Sequence, residues 1–290
     1  MIVLKLMGGL GNQLFQYAYG RSLATQLNTE LVLDLDFLLD RTARENFVFR
    51  NFDLDLFDLK PYSLFDENRK RKFYKKSIFS SSPIVIKENG FQFSPITTKL
   101  KKGKVYLDGY WQSHKYFEKI AFDLRKELKF RIPLTERQNI LLEKIKQSTS
   151  VCVNFRRADF VTIQSSIATH GIPPMSYYYN ALKIIKKRLG HEITVYVFSD
   201  DIEWCQSNFE TEETIHFVTH AEYKGDRFSA YLQLMKQCKH FIIPNSTFGW
   251  WAAWLSDYKD KIVITPKQWF LDPVLASQTQ DLRPDSWLII

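Results

Sequence analysis

Short apolar runs separated by helix-length segments constrain this chain more than any other feature of its sequence. In the second half, Val151 to Phe155, Ile193 to Phe198, Ile215 to Val218, Phe241 to Ile243 and Ile262 to Thr265 read as strands. Between them, residues 176–189 place Tyr178, Leu182, Ile185 and Leu189 on one helical side, and Phe228, Tyr231, Leu232 and Met235 mark a second amphipathic helix. The first half shows strands at Ile2 to Leu6, Leu31 to Leu35 and Val105 to Asp108, with Phe15, Tyr19, Leu23 and Leu27 at helical spacing between the first two. Strands linked by helices pair in parallel with the helices on both faces, so the expected class is α/β with two Rossmann-like lobes. A length of 290 residues suits two cores. Pro133 and the polar helix-like stretch at 135–149 place the division near residue 132.

Composition removes several other classes. With 45% hydrophobic and 15% aromatic residues the chain is globular, and its apolar runs stay below the roughly 18 to 20 residues of a membrane span. Met1 leads straight into a strand-like run rather than a secretory leader. The three cysteines, Cys152, Cys205 and Cys238, form no CxxC pair, which points to a reducing compartment such as bacterial cytoplasm. The net charge of +8 favours anionic partners. Much of it sits in Arg69, Lys70, Arg71, Lys72, Lys75 and Lys76 and in Lys99, Lys101, Lys102 and Lys104. A solvated face is the first reading of these clusters and contact with an anionic membrane the second, ahead of nucleic acid. Residues 80–83 read as a surface loop.

Four segments carry chemistry. Gly8-Gly9-Leu10-Gly11-Asn12-Gln13 joins the first strand to the first helix, where glycine lets backbone N–H groups approach an anion or a polar sugar. The Gly9-x-Gly11 spacing, with Asp34 or Asp36 beyond the next strand, imitates a dinucleotide fingerprint, but Leu14 stands at its third glycine. Asn154-Phe155-Arg156-Arg157-Ala158-Asp159 ends a buried strand, and adjacent arginines there suit a diphosphate leaving group, with Asp159 placed to hold one guanidinium. Ser199-Asp200-Asp201 follows the next strand and reads as a helix cap, a ribose or base contact, or a metal ligand. Asn245-Ser246-Thr247-Phe248 opens a helix with hydroxyls and free N–H groups, a phosphate-binding arrangement. Behind it, Trp251 and Trp254 read as core.

In this order and spacing, GGLGNQLFQYA, RRxD, FSDD and NSTFGWWAAWL, with GYWQSHKYF at 109–117, resemble glycosyltransferase family 11, best known for bacterial α-1,2-fucosyltransferases. The resemblance implies a GT-B-like fold with the donor site in the cleft on the C-terminal lobe. Residues 1–132 would then be an acceptor-side lobe with the Gly-rich loop, and 133–290 the GDP-fucose-binding lobe. It implies GDP-β-L-fucose as donor, inverting transfer to the 2-hydroxyl of a terminal β-galactoside in glycan or O-antigen biosynthesis, and no cofactor or required metal. The acceptor would be a galactose-terminated oligosaccharide or a lipid-linked glycan, reached in the cytoplasm with peripheral contact on the inner membrane face.

Carried over by residue, the resemblance sets Arg156, Arg157, Ser246 and Thr247 on the donor diphosphate. The loop of Gly9, Gly11, Asn12 and Gln13 closes over the fucose or the acceptor, and Asn154, Asp200, Asp201, Asn245 and Phe248 fall within the donor motifs. Asp159 and Asn12 are the motif groups to examine beside the proton transfer, which the sequence assigns to no base. Two departures stand out: Asn154 where the family usually has His, and Ala158 where it usually has Gly. Ala230 and Tyr231 occupy the neighbourhood of the acid that reads guanine in related enzymes, leaving Asp226 or the Asp200 and Asp201 pair as substitutes. His216 and His220 lack a third metal ligand, and the pairs Asp34 with Asp36 and Asp53 with Asp55 imitate the DxD of another transferase fold. The rivals are an NAD(P)-dependent oxidoreductase built on the Gly9-x-Gly11 turn and a non-catalytic carbohydrate-binding protein using the tryptophans.

Overall fold

The computed structural model describes residues 1–44, 48–75, 82–96, 103–162 and 164–290, without the side chains of 158, 159 and 164–166. Lys76, Lys99, Lys101, Lys102 and the first half of the expected loop at 80–83 lie outside the described residues. The chain forms two compact units, Met1–Arg131 with Ser277–Pro284, and Ile132–Ala276 with Asp285–Ile290. A single cut could not anticipate that 277–284 belongs to the first. That segment is fixed within its unit by polar bonds: Asp281 accepts from the Phe93 N–H at 3.0 Å and pairs with Lys115.

Each unit is built on one parallel sheet. In the first, β1 (Ile2–Lys5) lies between β2 (Leu31–Asp34) and β5 (Val105–Asp108), with β3 (Ser63–Leu64) and β4 (Ile84–Lys87) at the edges. The helix Leu10–Gln26 returns the chain from β1 to β2 and is buried over most of its surface. β3 and β4 lacked a clear sequence signal: the first is two residues long and the second is an edge strand exposed along most of its length.

In the second unit the order is β11 (Leu288–Ile289), β10 (Val263–Thr265), β9 (His240–Ile242), β6 (Ser150–Phe155), β7 (Thr194–Ser199) and β8 (Thr214–Phe217). β6 is wholly buried, as a parallel strand covered on both faces should be. Val151, Val153 and Phe155 pack on one face against Ala181, Leu182 and Ile185 of the helix Met175–Leu189. That helix ends at Gly190 in the left-handed conformation, with φ of 70°. The helix Glu136–Gln147 begins with a full capping box from Thr135 and Gln138. Trp250, Trp251 and Trp254 are all core, with ring centroids of 5.2 Å between the first two and between the last two.

Strand order locates the crevices. In the first sheet the chain runs from β1 outward to β2 on one side and comes back to β5 on the other; in the second it leaves β6 toward β7 and returns to β9. Both are topological switch points, where the carboxyl ends of the strands leave room for a ligand.

Candidate active site

At the switch point of the second sheet, Arg156 and Arg157 follow β6 and are fixed from below. Arg156 pairs with Asp200 and lies 5.3 Å from the Phe160 ring centroid. The Arg157 N–H donates to Asp200 Oδ1 at 2.8 Å, its Nε donates to Asp201 Oδ2 at 3.0 Å, and its guanidinium stacks 3.5 Å from the centroid of Trp204. Carboxylate on one side and aromatic face on the other leave each guanidinium few alternative rotamers, so the cations are preorganised. Asp200 and Asp201, expected at the donor, pair with the arginines. Asp201 also caps the helix Ile202–Asn208, accepting from the Trp204 N–H at 3.4 Å. Asp159 falls in the helix Ala158–Thr162, its side chain outside the described residues.

Asn154 is buried, and its Nδ2 donates to the Phe198 carbonyl of β7 at 3.1 Å. A Cβ on Gly249 would come within 2.7 Å of its Oδ1. Its amide therefore bridges β6 and β7 and lies close against the tryptophan helix. Ser246 is the N-cap of the helix Thr247–Leu255 and makes no side-chain cap bond, while Thr247 and Phe248 are partly exposed. Asn245 belongs to a different neighbourhood: its Nδ2 donates to the carbonyls of His170 and Trp269 at 2.9 and 3.1 Å. It borders a cavity of about 640 Å³ shared with Tyr177, Lys183 and Leu271, and neither arginine nor Ser246 lines it.

The first sheet carries a different set at its switch point. Gly8, rather than Gly9 or Gly11, takes the left-handed conformation with φ of 78°, and a Cβ there would meet Asn12 Nδ2 at 2.3 Å. Gly9 is the N-cap of the first helix. Gln13, expected to face a ligand, is fully buried and committed: it donates to the carbonyls of Gly8 and Asn51 at 2.9 and 2.8 Å and accepts from the Asp53 N–H at 2.9 Å. Asn12 Oδ1 accepts from Gln112 Nε2 at 3.0 Å. The sequence reading passed over Glu88, at the end of β4. Its carboxylate accepts from the N–H groups of Tyr110 and Trp111 at 2.6 and 2.8 Å, and burial, opposed by those two bonds, pushes its pKa up to about 7. Trp111 sits in the left-handed region with φ of 57°. A single acid after an edge strand has no motif around it, so only the fold shows that it borders the Gly8 turn's strand pair.

His216 stacks on Tyr196 and His220 bonds the Ser199 carbonyl at 2.7 Å. Among the described residues, no group of three His, Cys, Asp or Glu side chains is placed to hold a metal ion.

The family model for glycosyl transferase family 11 matches residues 1–290. This chain belongs to glycosyltransferase family 11. It is 32% identical over a 300-residue alignment to an Escherichia coli alpha-1,2-colitosyltransferase, covering 100% of this chain and 99% of that one. It is 29% identical to the E. coli O-antigen biosynthesis glycosyltransferase WbnK, covering 98% of each. The human galactoside alpha-(1,2)-fucosyltransferase 1 is 28% identical over 162 residues, 52% of this chain and 42% of that one. Among solved structures it resembles the fucosyltransferase NodZ from Bradyrhizobium, with a TM-score of 0.50 and 13% identity over 87% of this chain and 92% of that one. The fold is thus GT-B-like, two Rossmann-like units each with a parallel sheet. A family match over the whole chain displaces the nicotinamide reading of Gly9-x-Gly11, which rested on one turn.

Proposed function

We propose that this family 11 transferase moves L-fucose from GDP-β-L-fucose to the 2-hydroxyl of a terminal β-galactoside, with inversion at the anomeric carbon. The observation that carries the donor half is the pair of arginines held by Asp200, Asp201 and Trp204 at the switch point of the second sheet. As the bond to GDP loosens, negative charge grows on the β-phosphate and positive charge on the sugar ring. Cations and N–H donors fixed beforehand stabilise that state more than the ground state. Arg156, Arg157, Ser246, Thr247 and the opening N–H groups of the helix Thr247–Leu255 supply them. The family and the relatives named for galactoside 2-fucosylation support the acceptor half.

The relative named for colitose favours a second donor reading, because colitose is fucose lacking one ring hydroxyl. Melting curves test both. At about 100 times Kd, a ligand bound only by the native state adds roughly 2.7 kcal/mol, worth about 2 to 4 °C for a chain of this size. GDP and GDP-fucose should produce that shift, UDP much less, and NAD⁺ or NADP⁺ none. Turnover then separates the sugars: fucose transfer to a β-galactoside supports the first reading, and transfer of colitose alone replaces it with the second.

The inner-face location rests on one surface of the first unit. Arg71, Lys72 and Lys75 lie beside exposed Tyr74, and the Lys104 Nζ bonds the Lys72 carbonyl while its own carbonyl accepts from Ile84 of exposed β4. Cations beside exposed aromatic and aliphatic groups suit an anionic bilayer surface. Among the described residues no helix is long and apolar enough to cross a membrane.

A further inference from the structure

The reaction needs a group to take the proton of the acceptor hydroxyl, and the sequence assigns that task to no base. The first sheet's switch point lies between β1 and β5, and several features meet there. Gly109, directly after β5, has no room for a Cβ: one would come to 2.3 Å from Glu88 Cβ. That close approach lets the Glu88 carboxylate sit beneath residues 110 and 111. It holds Trp111 in a left-handed conformation that is strained for a bulky residue, the kind of strain that persists where surroundings over-determine it. Gln112, next in the chain, is buried; its Nε2 is engaged by Asn12 while its Oε1 finds no partner among the described residues. Gln16 closes the group, accepting from the Met7 N–H at 3.1 Å and donating to the Gly109 carbonyl at 3.1 Å.

A buried amide oxygen without a donor is costly unless something donates to it. A carboxylate has about four acceptor sites, and two N–H groups fill only two of Glu88's. Vicinal hydroxyls of a sugar are donors of the kind both groups lack. We infer that the cluster of Glu88, Gln112 and Asn12 at the carboxyl edge of the first sheet holds the acceptor's hydroxyls, and that Glu88 takes the proton of the one that reacts. This rests on the transferase reading above. The acceptor oxygen forms its bond to the anomeric carbon, the bond from that carbon to the β-phosphate oxygen breaks with its electron pair leaving on GDP, and the hydroxyl proton ends on Glu88. Gln112 Oε1 accepts from a neighbouring hydroxyl.

The ionisation of Glu88 fits such a task. Burial is the main cause of its raised pKa; Tyr19 on the first helix and Tyr110 and Tyr116 beyond β5 are phenols raised by burial and neutral at pH 7, and Asp108, whose carbonyl accepts from the Glu88 N–H, has its carboxylate paired with Lys5 at 3.0 Å. A base with a pKa near the working pH combines a populated basic form with a useful driving force.

The test is a pH profile of fucose transfer to a β-galactoside, run on the wild type, Glu88→Gln and Gln112→Ala. In the wild type, kcat/KM should fall on the acid side with an apparent pKa near 7; a profile flat through that range overturns the proposal. Glu88→Gln should lose about 100-fold or more in kcat and lose the acid limb, with GDP still raising its melting temperature. A limb that survives the substitution, or wild-type kcat, overturns the role of Glu88. A purely structural Glu88 would lower stability and leave the limb in place. Gln112→Ala keeps the carboxylate, so it tests the site even where Glu88→Gln fails to fold: acceptor KM should rise about tenfold, the worth of one hydrogen bond to a buried partner, with the limb unchanged. Unchanged KM removes the hydroxyl site. Failure of the transferase reading shows earlier and differently, as a wild type that neither responds to GDP nor transfers fucose.

Discussion

The two switch points are built from different chemistry. The second sheet presents cations, each locked by a carboxylate and an aromatic face, whereas at the first Lys5 and Asp108 neutralise each other at the ends of β1 and β5 and the groups around Gly109 are amides and a carboxyl poised near neutrality. A diphosphate must be met by charge that does not move, and an acceptor sugar by hydrogen bonds that can distinguish hydroxyls. On the proposed reading, related strand arrangements separate the two tasks by the side chains set at the carboxyl end of each strand, and the separation can be attacked from either end.

The largest effect should come from the charged end. Arg156→Ala and Arg157→Ala are each expected to lower kcat/KM by at least roughly 100-fold, the scale of one transition-state donor. Lysine at 157 should recover only part of this, because an ammonium cannot both pair with Asp201 and stack flat on Trp204. Steady-state kinetics at fixed salt decide the matter, and near-wild-type transfer by both alanine variants would remove the electrostatic account. Trp204→Ala leaves the charge and removes its aromatic support. With cation–π contacts worth about 0.5 to 2 kcal/mol, a loss between about twofold and 30-fold is expected, carried by kcat rather than by the Kd for GDP.

At the neutral end, stability should respond before chemistry does. Gly8→Ala forces a side chain into φ of 78° and against Asn12, so the melting temperature should drop by several degrees, for a cost of about 1 to 3 kcal/mol. An unshifted melting curve would show that the turn relaxes. Asn154 lets the comparison be sharpened, because it lies at the charged end yet works as an amide. Asn154→Ala should destabilise the second unit by about 1 to 3 kcal/mol through the unmet Phe198 carbonyl and the gap beside Gly249. Weaker GDP binding by a variant of unchanged stability would return Asn154 to the nucleotide.

Much of this was readable in the sequence where the signal is local. A fully buried parallel strand such as β6 shows as a largely apolar run, and the arginine pair follows it directly. The edge strands β3 and β4 were lost because an exposed or two-residue strand has no burial pattern to detect. The pairing of Asp200 and Asp201 with the arginines has no local signal in the sequence: these acids are near the arginines in register, since Phe155 pairs with Ser199 across β6 and β7. Gln13 misled because an amide in a motif looks like a ligand contact until its own backbone partners are seen. Glu88 carried no signal at all; its importance comes from β4 pairing with β5 and from the missing side chain at Gly109.

The smallest effect expected is none. If fixed guanidinium groups and helix N–H donors carry the diphosphate, transfer should survive excess EDTA, and added Mn²⁺ or Mg²⁺ should not raise it. The first DxD pair gives this expectation a structural side, because its carboxylates already have work. Asp34 accepts from the Tyr106 hydroxyl at 2.7 Å and from the Asp36 N–H at 3.0 Å, and Asp36 pairs with Lys70. A divalent ion there would have to break these contacts first. Activity lost in EDTA and restored by Mn²⁺ would mean that the arginine pair is not sufficient for the leaving group, and the contrast between a charged and a neutral switch point would have to include a metal on one side.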